Sequence, residues 1–403
     1  MRPAPAPSDE SPGWPAVSVI MAVRNDAPYL RETLERVLSQ GCPGTLEVIV
    51  AVGPSHDDTH DVVAAVAATD PRVRLVDNPV GTTASGLNAA LAQARHDVVV
   101  RVDARGRLTP DYVRRAVEIL AETGADNVGG VFAARGETPL EHAIARAMTT
   151  WLGIGSSRGR FDAKGTAGPV DTVYLGVFRR AVLDRLGGYD ESLVRGEDWE
   201  LNYRIRQAGG TVWYDPRLRV DYRPRPTVAA FVEQFYSNGR WRRAICRRHP
   251  GTCSARYLAA PLTMVVCAAA ALVAACGALV GVPTLSAALV LPAGYVLLVT
   301  AGAAVVSRDL PWRARLWLPV VVSMIHFAWA LGFLTSREKP HVTGPGQVGQ
   351  RHRHDQTKCG RESADRARPD HTSLDDTCLG QPDLAQASLD QSSLDQSSTV
   401  SVE

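Results

Sequence analysis

Asp103 follows the run Val98-Val99-Val100-Arg101-Val102. A carboxylate at the end of an apolar strand gains little from packing and can meet a ribose or a metal-bound diphosphate. A turn or N-cap aspartate has the same surroundings. A second acidic group lies in Gly196-Glu197-Asp198-Trp199-Glu200, just before Leu201, Tyr203 and Ile205, with Arg204 and Arg206 between them. This pattern reads as a loop entering a helix that ends at Gly209-Gly210. Three acids within four residues complement the positive end of a helix dipole. They equally suit a general base beside a cleft, and spacing alone does not choose. The seven cysteines form no CxxC pair and no Cys/His zinc spacing, so a zinc site and a disulfide framework both lose support.

Residues 16–256 must position these groups. Apolar runs at 17–23 and 46–52 read as strands buried on both faces, and 73–77 and 97–102 as a third and a fourth strand. Between and after them, 25–40, 55–68, 83–94 and 110–122 carry helix signals, and 128–133 reads as a fifth strand. Four strand–helix units in succession predict an α/β domain with a doubly wound, mostly parallel sheet. Ligands bind beyond the carboxyl ends of such strands. Those ends hold Arg24-Asn25-Asp26, Gly53 to Asp57, and Asp103-Ala104-Arg105. No GxGxxG follows the first strand and no GK[ST] occurs, which argues against a dinucleotide oxidoreductase and a P-loop kinase.

The whole chain has 403 residues and a formal net charge of +2, too little basic excess for a dedicated nucleic-acid binder. Charge is strongly segregated. No charged residue occurs from Tyr257 to Ser307, and a second uncharged run covers 316–336. With about 20 apolar residues needed per crossing, three transmembrane helices are predicted at 258–280, 285–306 and 316–334, within a membrane domain at 257–336. The N-terminus lacks a signal-peptide pattern. Arg240, Arg242, Arg243, Arg247, Arg248 and Arg256 precede the first span, and Arg308, Arg313 and Arg315 separate the second from the third. The positive-inside rule then places the 16–256 domain in the cytoplasm. Three crossings would put the tail outside, although that tail opens with Arg337, Lys339, Arg351 and Arg353. The six arginines of 240–256 are expected to attract anionic lipid. A chain cut after Arg256 is expected to be soluble or salt-extractable. Segments 1–15 and 337–403 read as disordered; from 341 onward there is no aromatic residue, and Ser-Leu-Asp recurs three times.

Several pieces in order resemble the family 2 glycosyltransferases of the GT-A fold, closest to the succinoglycan-biosynthesis type with C-terminal membrane spans. They are Gly81-Thr82-Thr83-Ala84-Ser85-Gly86-Leu87-Asn88, Arg101-Val102-Asp103-Ala104, Gly187-Gly188-Tyr189-Asp190, Glu197-Asp198-Trp199-Glu200-Leu201-Asn202-Tyr203-Arg204, and Gln234 with Gly239-Arg240-Trp241. The resemblance covers about 17–243. It implies an inverting, membrane-anchored transferase at the cell membrane, moving a sugar from a nucleotide-sugar donor to a lipid-linked glycan acceptor in envelope or exopolysaccharide synthesis. Asp198 corresponds to the catalytic base and Asp103 to the first acid of the DxD-type motif, which contacts the donor or its metal. Asn25, Asp57 and Arg105 fall at donor-binding positions. Glu197, Gln234, Arg240 and Trp241 fall at acceptor or diphosphate positions, the last three resembling a Q-x-x-R-W element.

This chain departs from the pattern in three places. Five residues separate Gln234 from Arg240 where the family has two. Val52 stands where relatives carry the nucleobase-binding acid, so the nucleobase stays open. Arg105 replaces the second DxD acid. Either Asp103 holds Mg²⁺ or Mn²⁺ with fewer protein ligands, or Arg105 partly replaces the cation as a fixed bidentate donor. Two alternatives are a polyprenyl-phosphate sugar synthase and a non-catalytic nucleotide-binding or scaffold member.

Overall fold

The structure, a computed structural model, describes residues 13–155 and 165–337. The terminal segments read as disordered lie outside these residues, apart from 13–15 and Arg337.

The sheet begins with two buried, almost wholly apolar strands and an edge strand buried only at its first residue. Val17–Val23 (β1), Leu46–Val52 (β2) and Val73–Asp77 (β3) alternate with helices Ala27–Leu38 (α1), Thr59–Thr69 (α2) and Thr83–Gln93 (α3). Val98–Arg101 (β4) then pairs parallel to β1, with Val17 opposite both Val98 and Leu46 of β2. Covered from both sides, these strands need no polar face. Ser18 and Glu47 are buried exceptions and satisfy each other at 2.6 Å.

Beyond β4 the sheet is mixed. Gly106–Leu108 (β5), helix Tyr112–Thr123 (α4), Asn127–Ala134 (β6), helices Pro139–Thr149 (α5) and Trp151–Ile154 (α6), and Gly168–Pro169 (β7) follow. Next come Tyr174–Arg179 (β8), helices Arg180–Leu186 (α7) and Glu197–Gln207 (α8), and Val212–Tyr222 (β9). The strand order is β3-β2-β1-β4-β8-β6-β9-β5, with β7 on β9. β8 lies antiparallel between β4 and β6, and β5 and β7 run antiparallel to β9, but β6 and β9 pair parallel, so the sheet is mostly parallel as expected. One core on one face includes Leu30, Leu34, Val113 and Leu120 from α1 and α4; another includes Leu87, Leu183, Leu201 and Ile205 from α3, α7 and α8.

A 21-residue helix, Val228–Arg248 (α9), leads to three apolar helices: Ala259–Leu279 (α10), Val290–Val306 (α11) and Trp312–Thr335 (α12). Each of the three, with its flanking turn, is long and apolar enough to cross a membrane. α12 starts four residues before the predicted span. Its first turn includes Arg313 and Arg315, and Arg315 donates to the carbonyl of Leu310 at 2.8 Å.

The helices differ in what covers them. α10 and α11 expose most of their apolar side chains. α12 instead buries Leu318, Val321, Val322, Ile325 and Ala328 in a core shared with Ile144, Ala147 and Leu152 of α5–α6 and Phe231 and Phe235 of α9. At two glycines α9 and α12 meet without a side chain between them. A Cβ on Gly239 would collide with the Trp329 carbonyl, and one on Gly332 with the Tyr236 carbonyl. A cut after Arg256 would strip α12 from this core.

The arginines of 240–256 are likewise not a simple lipid-facing cluster. Arg243 donates to the Phe333 and Leu334 carbonyls, both at 2.9 Å, and Arg247 to that of Ser336 at 3.0 Å. They close the C-terminal end of α12, whose last carbonyls have no partner within the helix. Arg248 pairs with Asp190 and donates to Ser192 Oγ.

Candidate active site

Three strand-end loops and the start of α8 converge beyond the carboxyl ends of β1, β2 and β4. At the end of β1, Asn25 adopts φ +53°, a left-handed conformation that Asn tolerates better than most residues. That twist lets its Oδ1 accept from His56 N–H at 2.8 Å while its own N–H donates to Ser55 Oγ at 3.1 Å. Asp57 braces the same junction: Oδ2 accepts from Ala27 N–H at 3.1 Å, and Oδ1 accepts from the Thr59 hydroxyl and N–H. The Thr59 hydroxyl is foremost in holding this carboxyl below its ordinary range. Asn25 and Asp57, two of the four residues predicted to bind donor, are thus engaged in fixing the first two loops to each other.

The β4 end is organised by a residue absent from the predicted site. Arg101 lies within an apolar strand and its side chain is only 8% exposed. Its Nε donates to Asp103 Oδ1 at 3.0 Å and its Nη2 to Glu197 Oε1 at 2.9 Å. One guanidinium therefore ties the strand-end acid to the acids at the start of α8, 96 residues away. Arg101 Nη1 and the Tyr189 hydroxyl, both buried, find no hydrogen-bond partner among the described residues. The guanidinium lies 5.8 Å from the Tyr189 ring centroid. Burial raises the Glu197 carboxyl above its ordinary range, Arg101 opposes that shift, and the neighbouring Asp198 charge adds to it. The sequence signal was an arginine inside a valine run, which needs a buried counter-charge. Which acid supplies it could not be read from spacing.

Asp198 is half-buried in the first turn of α8, where its Oδ1 accepts from Trp199 N–H at 2.7 Å. Gly196 caps this helix at φ +81°, and a Cβ there would meet Ile245 of α9. Glycine thus permits both the turn and the close approach. The pieces quoted from the sequence interlock around it. Asn88 of α3 donates to the Tyr189 carbonyl and accepts from Tyr189 N–H, both at 2.8 Å, fixing the Gly187–Asp190 loop.

Arg105 folds back onto α1. Its guanidinium lies 4.1 Å from the Tyr29 ring centroid and 3.4 Å from Asp26 Oδ1. Burial pushes the Asp26 carboxyl up, against the pull of Arg105 and Arg225. Arg225, on the loop after β9, is held below its ordinary range by burial and by the like charges of Arg105 and Arg195. Three arginines therefore share one region with Asp26 and Asp103, and two of them, Arg195 and Arg225, were not predicted.

The α9 residues divide. Trp241 is buried against Leu193 and Ile245, with Trp199 packed on the same cluster, so it supports the start of α8 from beneath. Arg240 stands over Tyr236, and its carbonyl accepts from Ser336 Oγ at 2.9 Å. Arg242 is the α9 arginine that faces α8, 4.3 Å from the Trp199 ring. Gln234 is half-buried and, seven residues before Trp241, lies on the same helical stripe.

No group of three or more His, Cys, Asp or Glu suited to a metal occurs among the described residues. Asp103 offers one partly exposed carboxylate, already bonded to Arg101. Such a donor set fits Mg²⁺ or Mn²⁺ only where substrate phosphates and water complete the shell, as is common for Mg²⁺.

The Glycosyl transferase family 2 pattern matches residues 18–187. The succinoglycan biosynthesis protein ExoA of Rhizobium meliloti (strain 1021) is 31% identical over 330 residues, covering 81% of this chain and 96% of that protein. ExoO of the same organism, also a succinoglycan biosynthesis protein, is 28% identical over 219 residues, covering 52% of this chain and 61% of that protein. Among solved structures, the mannosyltransferase PcManGT from Pyrobaculum calidifontis, in complex with GDP-Man and Mn²⁺, matches with TM-score 0.52. It covers 80% of this chain and 88% of that one at 22% identity, a likeness of fold.

Proposed function

This chain belongs to glycosyl transferase family 2, and from that premise we propose that it is an inverting, membrane-anchored glycosyltransferase acting from a nucleotide-sugar donor on a lipid-linked glycan. The observation that carries the reading is the Arg101 bridge. It sets Asp103, on the donor side of the sheet, in one charge network with Glu197 and Asp198 at the start of α8. Asp198 is the general base: it takes the proton of the acceptor hydroxyl as that oxygen attacks the anomeric carbon and the nucleoside diphosphate leaves from the opposite face. Arg105, Arg195 and Arg225 supply positive charge for the departing diphosphate, where electrostatic stabilisation has most effect. Asp103 is the protein carboxylate for Mg²⁺ or Mn²⁺, which would neutralise diphosphate charge when bound. The Mn²⁺ and GDP-Man bound by the mannosyltransferase of like fold support that reading. Synthesis of an envelope or exopolysaccharide follows from the likeness to ExoA. The active site faces the cytoplasm, as the basic segments around the apolar helices suggest.

The test uses full-length protein purified in detergent, screened for binding of UDP-, GDP- and dTDP-sugars and assayed for transfer to lipid-linked acceptors. Asp198→Asn is expected to keep donor binding and lose about 10²–10⁴-fold in transfer. Wild-type turnover by that variant would show that Asp198 is not the base. A sugar phosphate as product, in place of a glycosidic bond, would replace the glycan acceptor by the lipid phosphate.

A further inference from the structure

We propose that the chain crosses the bilayer twice, as the hairpin α10–α11, and that α12 stays on the side of the catalytic domain. Length and composition alone admit α12 as a third crossing. α12 packs on Tyr295, Val299 and Ala303 of α11, but its further contacts with the catalytic domain set it apart from the other two.

Both ends of α12 are held by one domain. In the turn that leads into it, Arg146 of α5 donates to the Val306 carbonyl at the end of α11 and pairs with Asp309, each at 2.6 Å. Pro139 of α5 lines a cleft with Arg313, Leu316, Trp317 and Val320. At its middle, His326 Nε2 lies 2.9 Å from the Leu152 carbonyl of α6. At its C-terminal end, Arg243 and Arg247 of α9 close the last carbonyls. A 24-residue helix is about 36 Å long, more than the roughly 30 Å of a hydrocarbon core. If α12 crossed, α5 and α9 would have to follow it through the bilayer. They carry Glu141, His142, Arg146, Glu233, Arg240 and Arg243, and each ion in the hydrocarbon costs several kcal/mol. The catalytic domain cannot stand at both bilayer faces.

Exposure points the same way. From 321 to 330 no residue of α12 is exposed, so its central turns offer little surface to lipid. On α10 and α11, Leu272, Leu279, Leu297 and Leu298 are each more than half exposed. The hairpin's turn, 280–289, holds no charge, and every basic segment flanks its open end: 240–256 before α10, Arg308 to Arg315 after α11, and Arg337 after α12. With two crossings all of them lie on one side, as the positive-inside rule requires. The basic opening of the tail, in conflict with three crossings, agrees with two.

The test is labelling of full-length chains that carry one cysteine each, the others replaced by serine or alanine. The three sites are Ala68→Cys on the catalytic domain, Ser286→Cys at the hairpin turn and the native Cys378 beyond α12. With a membrane-impermeant maleimide on intact cells, Ser286→Cys is expected to react, while Ala68→Cys and Cys378 react only after lysis. Opposite behaviour of Ala68→Cys and Cys378 overturns the proposal. So does a Ser286→Cys site that behaves like the other two. If Ala68→Cys and Cys378 both react in intact cells and Ser286→Cys does not, the cytoplasmic placement fails and the two crossings stand. A green fluorescent protein fused after Glu403 gives an independent reading that needs no cysteine replacement. It should fluoresce, and a dark fusion whose alkaline-phosphatase counterpart is active overturns the proposal.

Discussion

Arg101 is the residue on which the site's geometry depends most directly. Burial raises Glu197 and Arg101 holds it down. Arg101→Met should therefore let Glu197 take up a proton at higher pH than in the parent, moving the acid limb of the kcat/KM profile upward. Leaving a buried acid without its counter-charge should also lower stability by about 3–5 kcal/mol, read as a lower unfolding temperature in detergent. Arg101→Lys keeps the charge and should restore the position of the limb in part. A limb unmoved in Arg101→Met would leave the bridge without influence on the reaction. At Arg105 the readout is metal dependence. Arg105→Ala removes a cation held between Asp26 and Tyr29, and transfer should then need more Mn²⁺ or Mg²⁺. Superimposable metal titrations of parent and variant would show that Arg105 does not neutralise the diphosphate.

Among the elements, α9 serves the active site and the apolar helices at once. Gly332→Leu should force it away from α12, because a side chain there meets the Tyr236 backbone and not a movable group. Overpacking costs about 1–3 kcal/mol, and transfer should fall with it because Trp241 and Ile245 support the start of α8. Normal stability and turnover in that variant would mean the two helices can part freely. A chain cut after Arg256 should aggregate or need detergent, since Phe231, Phe235 and Ile144 lose their cover. A monodisperse product without detergent would count against this core. The strands β1 and β2 were legible to the residue because burial on both faces leaves a run broken only by Ser18 and Glu47. β5, three residues long, had no run to read. The covering role of α5 and α9 was hidden for another reason. Their apolar positions are scattered among charges, and which of them meet α12 depends on contacts more than 80 residues away in sequence. The acids of the site were visible as types and spacings. The arginines that organise them were not, because their partners come from other loops.

For the whole molecule, the apolar hairpin predicts how the protein leaves the membrane. Full-length protein should stay in the pellet through high salt and carbonate and come out only with detergent, because the exposed leucines of α10 and α11 respond to neither ionic strength nor pH. Recovery in a detergent-free supernatant would overturn the membrane assignment. The glycine contact between α9 and α12 has a further consequence. A transferase hung from its anchor by a flexible linker would sample acceptors at many elevations above the lipid headgroups. Here backbone rests on backbone at Gly239 and Gly332, and the same α9 props the start of α8, so the position of Asp198 is coupled to that of α12. A shift of α12 is then expected to reach Asp198 through α9, so that what α12 touches bears on the rate of transfer as well as on stability.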